Sequence, residues 1–281
     1  MRDVEPIERT RVLARDGDRQ FEREDALAVE EPLEIRIRSH EEGARSFVTT
    51  MRTPGNDEEL VAGLLFAEGV VAARDDLLAL ERPVDPRIEP ELRANVLIAV
   101  LSPDARTRGE KLERGTVMGS ACGVCGKTSI ETVLPSDASP LVSRIRISPE
   151  VLFGLPGRLR EGQSVFARTG GLHAAGLFDA EGRIRVLRED IGRHNATDKL
   201  VGHFLLEDGL PLADSVLMVS GRAGFEIVQK AYAAGIPIVA SVSAPSSLAV
   251  SLAEAAGMTL VGFLRDRRYN VYACPERILS T

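Results

Sequence analysis

The chain contains no tryptophan, and Phe, Tyr and Trp together make up only 4% of it. That leaves little material for the stacking platforms that hold unpaired bases. Lysine is also scarce: 4 of the 35 cationic residues are Lys and the rest are Arg. Net charge is −7, which argues against a general binder of nucleic acid or anionic membrane. No stretch reaches the roughly 20 uncharged apolar residues of a membrane span. Residues 1–6 are mixed in charge and lack the apolar core of a secretory signal. Three cysteines cannot make a disulfide framework: two sit as Cys122-Gly123-Val124-Cys125, and Cys274 is alone. An odd count with one CxxC points to a reducing compartment and to thiol chemistry. A cytoplasmic location is expected.

What is present is ordinary globular material, 44% hydrophobic and 27% charged over 281 residues. Such a chain buries about three quarters of its unfolded surface without a disulfide or metal staple. Its length suggests two domains. Residues 1–24 are charge-rich and read as a partly ordered lead-in. Residues 33–38 alternate strictly, as in a strand with one wet face, and 47–51 supply a neighbour. Asn56 to Glu59 resembles a capping box, after which Leu60, Val61, Leu64 and Leu65 share a helical face. Residues 81–91 read as a loop, 95–101 as a strand, and the charged stretch 104–114 as a boundary. These elements predict a small α+β domain over 25–112.

The remainder, 113–281, alternates. Residues 145–147 read as a strand, and Ser148-Pro149-Glu150 starts a helix with Ser as cap and Pro in its first turn. Residues 174–179 and 183–188 form a hairpin, followed by a helix over 193–206. Strands at 215–219, 237–242 and 259–263 then alternate with helices at 225–234 and 246–256. A hairpin followed by βαβαβ predicts a mixed sheet with helices on its faces, so the fold is α/β here and α+β overall.

The strongest chemical signal is Gly119-Ser120-Ala121-Cys122-Gly123-Val124-Cys125-Gly126-Lys127. A structural zinc site would need four N/S ligands, and there is no second CxxC. A thioredoxin-like pair lacks its flanking aromatic. Inert structural thiols fit poorly among three glycines. The favoured reading is a loop that carries a nucleophilic thiolate, with Lys127 lowering the thiol pKa. Attack on an activated sulfur would give a persulfide.

Several turns precede or follow strands. They are Thr169-Gly170-Gly171-Leu172-His173, Asp190-Ile191-Gly192-Arg193-His194-Asn195, Ser220-Gly221-Arg222-Ala223-Gly224 and Ser243-Ala244-Pro245-Ser246. The last three lie where open α/β sheets bind ligands, at the C-terminal ends of strands. Gly-rich turns entering helices offer N–H groups to anions, and Arg193 and Arg222 add charge. Phe263-Leu264-Arg265-Asp266-Arg267-Arg268 follows the last strand and adds three Arg. Together these favour a nucleotide-like ligand. His173 is open between a ligand contact and a core residue, while His194, at a helix start, reads as functional. His40, His203 and Cys274 carry no motif.

The order of elements matches zinc nucleobase deaminases, but the chemistry does not. Those enzymes carry H-x-E on the first helix and P-C-x-x-C on the second. This chain has His194-Asn195-Ala196 and Ser220-Gly221-Arg222 there. The expected fold is a cytidine-deaminase-like mixed sheet without deaminase zinc, plus the smaller N-terminal domain.

At these residues the chain resembles the formate dehydrogenase accessory sulfurtransferase family. The stretches that carry the likeness, in order, are 119–126, 169–175, 189–196, 220–222 and 262–265. Ala121 stands where that family usually has Ser. The resemblance implies a sulfur carrier. A cysteine desulfurase would load Cys122 as a persulfide, with Cys125 as auxiliary thiol. The acceptor would be the bis-guanine-dinucleotide form of the molybdopterin cofactor, holding molybdenum or tungsten. Its binding residues would be the turns above: Gly170, Gly171, His173, Asp190, Gly192, Arg193, His194, Asn195, Ser220, Gly221, Arg222, and Phe263 through Arg268. Formate dehydrogenase would be the recipient, and the protein a homodimer with no resident metal. Two other readings use the same residues. One is a cofactor-binding chaperone without covalent sulfur transfer, and the other is a CxxC dithiol oxidoreductase.

Overall fold

The computed structural model describes residues 5–38, 43–84, 89–113 and 139–280. Three sheets organise them. The first is a long hairpin, β1 (Ile7–Asp16) with β2 (Arg19–Ala28), turning at Gly17 with φ +59°. The expected lead-in is therefore a regular two-stranded ribbon. Its alternation is hard to see in sequence because both faces stay wet, with Leu13, Phe21 and Leu27 all exposed.

The second sheet has the order β4-β3-β6-β5. It contains β3 (Glu31–Arg38), β4 (Arg45–Arg52), β5 (Leu77–Glu81) and β6 (Val96–Leu101). Its inner face, Leu33, Ile35, Ile37, Leu97, Ala99 and Leu101, packs on α1 (Asp57–Ala67) and on Ala105 of a second helix. Asn56 begins α1 in the left-handed region (φ 55°) and makes no side-chain cap, so the expected capping box is absent. The helix is fixed instead by burial of Leu60, Val61 and Leu65. A single turn, α2 (Pro90–Arg93), precedes β6. The charged stretch expected as a boundary is a helix, α3 (Pro103–Glu113).

The third sheet is mixed, with the order β12-β11-β10-β9-β7-β8. Its members are β7 (His173–Phe178), β8 (Ile184–Asp190), β9 (Val216–Val219), β10 (Ile238–Ser241), β11 (Thr259–Arg265) and β12 (Arg268–Ala273). The central strands β9 and β10 are buried on both sides, and their sequences are correspondingly apolar. One face carries α6 (Arg193–Leu206), α7 (Phe225–Ala233) and α8 (Ser247–Ala255). The other carries α4 (Pro149–Gly162), through Leu152, Leu155 and Leu159. Ser148 caps α4 as expected, accepting from Val151 N at 3.3 Å. A short α5 (Phe166–Thr169) follows. The strand expected at 145–147 is only a bridge from Ile147 to Ile278.

The two α-bearing layers meet where α1 crosses α6. Gly63 and Gly202 let the backbones touch: a Cβ on Gly202 would lie 1.8 Å from the Glu59 carbonyl oxygen. A Cβ on Gly63 would lie 2.0 Å from that of Asp198. Arg188 and His203 both bind the Glu59 carboxylate across the same seam.

Candidate functional site

Strands β9, β10 and β11 are parallel, and β7 is antiparallel to β9 and β8. The C-terminal ends of β9, β10, β11 and β8 therefore share one edge with the start of β7. All five turns named from the sequence converge there. They are bound to one another: Ser246 N donates to Ala223 O at 3.2 Å, and Phe263 N to Ser243 O at 3.1 Å. The buried Ser241 hydroxyl lies 3.0 Å from Gly221 O and 2.8 Å from Ser243 O. Ser220 Oγ accepts from Ala174 N at 2.8 Å.

A cavity of about 440 Å³ opens at this edge. Gly170, Gly171, His173 and Ser220 line it from the turns, and Pro156, Leu159, Arg160 and Gln163 from α4. His173 rests against Gly221, where a Cβ would stand 3.2 Å from its Nδ1 and 3.6 Å from Arg193 Cδ. Any side chain at 221 would crowd that imidazole. Burial, with help from the Arg193 charge, pushes the His173 pKa below its usual value, and Asp190 only partly opposes this. The shift favours the neutral imidazole. Buried Arg193 Nε has no hydrogen-bond partner among the described residues. A guanidinium edge beside a neutral imidazole and Gly-rich backbone suits an anion.

Asp190 and Asn195 serve the site from beneath. Asp190 is fully buried, and its two oxygens accept from Thr53 N, Gly192 N and Asn195 Nδ2 at 2.8–3.2 Å. Lys199 Nζ completes the set at 2.7 Å from Oδ2. Asn195 also donates to Met51 O at 2.7 Å. These bonds fix the shape of the turn; Asn195 Oδ1 accepts in addition from the Thr50 hydroxyl at 3.4 Å. His194 Nδ1 sits 3.1 Å from Glu226 Oε2. Gly192 is the backbone N-cap of α6, and Arg222 is exposed in the next turn.

The 263–268 segment divides. Leu264 is 0% exposed, and its side chain belongs to the core. Phe263 (φ 53°) and Asp266 (φ 54°) are left-handed, bending the β11–β12 hairpin. Arg265, Asp266, Arg267 and Arg268 are exposed at its tip, and the Arg267 guanidinium lies 5.1 Å over the Phe153 ring of α4. None of the described cavity lining comes from this tip. Cys122, Cys125 and Lys127 lie outside the described residues.

The sequence reading missed Thr53, Lys199 and Gln163. Lys199 carried a signal, since a lysine directly before Leu200 and Val201 falls among buried helix positions.

Fold and site together define an α/β protein with a cavity at the sheet edge that is bordered by Gly-bearing turns and by α4. The chain belongs to the FdhD/NarQ family, whose model matches residues 28–279. The sulfur carrier protein FdhD of Mycobacterium tuberculosis is 48% identical over 272 residues, 95% of this chain and 97% of that one. The protein of the same name from Streptomyces coelicolor is 48% identical over 258 residues, 91% of this chain and 90% of its own. That of Thermoplasma acidophilum is 44% identical over 275 residues, 96% of this chain and 93% of its own. A crystal structure from Desulfotalea psychrophila, described as a formate dehydrogenase accessory protein, superposes with a TM-score of 0.73 at 25% identity. It covers 97% of this chain and 99% of that one. No helix among the described residues is long and apolar enough to cross a membrane.

Proposed function

We propose that this protein is a cytoplasmic sulfur carrier serving formate dehydrogenase. Sulfur arrives as a persulfide on Cys122 from a cysteine desulfurase. It leaves for a molybdenum or tungsten bis-guanine-dinucleotide molybdopterin cofactor held at the sheet edge. The observation that carries the reading is the convergence of Gly170, Gly171, His173 and Ser220 on one cavity, with Gly221 and Arg193 packed beside His173. The curated relatives' shared name, sulfur carrier protein, supplies the chemistry. A carrier needs a mobile thiol and a docked acceptor, and a pocket of this composition suits a phosphate-rich acceptor.

The chemistry balances without an outside oxidant at loading. The Cys122 thiolate attacks the terminal sulfur of the donor's persulfide, a new S–S bond forms, and the donor cysteine leaves as thiolate. Delivery as sulfide requires two electrons. Attack of the Cys125 thiolate on Cys122 Sγ supplies them, breaks the persulfide bond and leaves a Cys122–Cys125 disulfide for a thiol reductant to reopen. Arg193 and the turn amides hold the acceptor's phosphates, and neutral His173 offers a hydrogen bond. Two copies of the chain form the working unit.

Mass spectrometry tests the central step. After incubation with a cysteine desulfurase and free cysteine, the Cys122 peptide should gain one sulfur, removable by dithiothreitol. Cys122→Ala should abolish the gain and leave formate dehydrogenase inactive in cells. Full activation by that variant would instead favour the chaperone reading, in which the thiols are dispensable.

A further inference from the structure

The β1–β2 ribbon is anchored at its base, where Val29 N donates to Pro6 O at 3.0 Å. From there its register runs unbroken from Ile7↔Ala28 to Asp16↔Arg19, and among the described residues it pairs with no third strand. Every residue from Arg15 to Glu24 is exposed. Its ion pairs, such as Arg9–Glu24 at 3.4 Å, join side chains that are themselves mostly exposed, and pairs of that kind contribute little. A two-stranded hairpin alone is marginal in water and gains its stability when another layer covers a face. A ribbon this long and this bare calls for cover from outside the single chain.

Its two faces differ. Cross-strand partners point to the same side, and successive pairs to opposite sides. One face therefore carries the pairs Val12–Arg23, Ala14–Phe21 and Asp16–Arg19, and the other carries Arg11–Glu24 and Leu13–Glu22. The first has an apolar centre of Val12, Ala14 and Phe21 with charge beside it and at the tip. The second sets Leu13 among charges. An apolar centre with a charged rim is the anatomy of a protein–protein interface.

The first face is also complementary to itself. A two-fold axis along the ribbon lays β1 of one copy over β2 of the other. Contacts about a two-fold must be reciprocal, residue i on j and j on i. The ribbon's own register supplies such pairs. Phe21 comes over the small Ala14 of the partner subunit, and Asp16 meets Arg19 of the partner subunit, each contact occurring twice. A two-fold across the ribbon would set each strand over its own copy and leave these pairs unmade.

We infer that the face bearing Val12, Ala14 and Phe21 is the surface through which two copies of this chain associate, ribbon on ribbon. The inference rests on the two-copy element of the proposed function and names its surface.

Sedimentation velocity of the full chain over a range of concentrations tests it. The parent should sediment as a dimer. Phe21→Glu, which puts a carboxylate in the apolar centre, should weaken self-association by roughly tenfold or more. Leu13→Glu is the control: it lies on the other face and is the more exposed of the two, 65% against 43%, and it should leave the dimer unchanged. Asp16→Arg and Arg19→Asp should each dissociate when pure, because each sets like charges against one another across the axis. An equimolar mixture of the two should form a heterodimer. Mixing leaves each hairpin as it was, so restoration by mixing comes only from pairing between copies. A Phe21→Glu or a pure charge variant that stays dimeric, a Leu13→Glu that dissociates, or a mixture that stays monomeric would each overturn the inference, with the two-copy reading left to another surface. A monomeric parent would remove both, and persulfide loading of Cys122 in the same preparation would show whether the carrier reading stands without them.

Discussion

At the scale of the residue, the site is governed by two groups of opposite readiness. Arg193 brings a fixed charge whose Nε is unspent. His173 brings an imidazole whose neutral form burial favours, because it lowers the pKa from its ordinary value. The sign of the resulting pH dependence follows directly. An anion bound beside His173 favours the imidazolium, so the bound-state pKa is higher than that of the free protein. Affinity for pyrophosphate should therefore rise as pH falls through the bound-state pKa, and level off below the free-state pKa. Pyrophosphate itself titrates in this range, so the informative quantity is the difference between the parent and His173→Ala. That difference should grow towards pH 5.5 and shrink above pH 7.5, read by calorimetry. A constant difference would remove His173 from the anion grip. The unliganded fold behaves in the opposite sense. Its share of stability from a neutral His173 is present above pH 6.5 and is lost as pH falls towards the depressed value.

At the scale of the element, the decisive contact is the crossing of α1 and α6. Two glycines bring backbone against backbone, and both contacts run to carbonyl oxygens, which cannot turn aside like side-chain ends. Gly202→Ala should force the helices apart and destabilise the protein by about 2–4 kcal/mol or more, beyond the usual penalty of overpacking because nothing yields. Gly157→Ala in α4 is the control. A Cβ there meets nothing within 4 Å, so the helix should gain roughly 0.5–1 kcal/mol. Urea denaturation of the two variants should move the midpoint in opposite directions. Elements also show what the sequence could and could not reveal. Helix α6 was legible to the residue, because Gly192 and the apolar spacing of Leu200, Val201, Phe204 and Leu205 agree. The β1–β2 ribbon was not, because charged residues occupy both of its faces and no buried side betrays the period of two. Strand β12 was hidden in the same way, with Arg268 and Asn270 exposed at the sheet's edge. The turns at the sheet edge were visible as Gly and Arg clusters. The burial of Leu264 was not legible, since its place in a motif says nothing of which way a strand residue faces. Thr53 was invisible, because its role depends on partners far along the chain, while Lys199 showed only as a lysine among buried helix positions.

At the scale of the whole molecule, the two layers do more than pack; the N-terminal one builds part of the site's foundation. Lys199 of α6 reaches Thr53 O at 2.9 Å across a separation of 146 residues, and Glu189 O at 3.4 Å. Thr53 in turn donates its N–H to Asp190 and accepts from Ile191 N at 3.2 Å. The turn that aims Arg193 is thus clamped between the β4–α1 corner and a lysine that is 1% exposed. Removing one member of a buried ion pair leaves the other charged and uncompensated, at a cost of about 3–5 kcal/mol. Lys199→Met should lower stability by that amount. Restoring neutrality with Asp190→Asn in the same chain should recover part of it, because Asn still accepts hydrogen bonds. The two variants separate a stability effect from a site effect. If the clamp serves the ligand turn, the double variant should regain stability while its affinity for pyrophosphate stays low, since the turn loses its ionic anchor to the second layer. Recovery of both quantities together would mean that the pair only holds the fold, and that the turn keeps its shape without it.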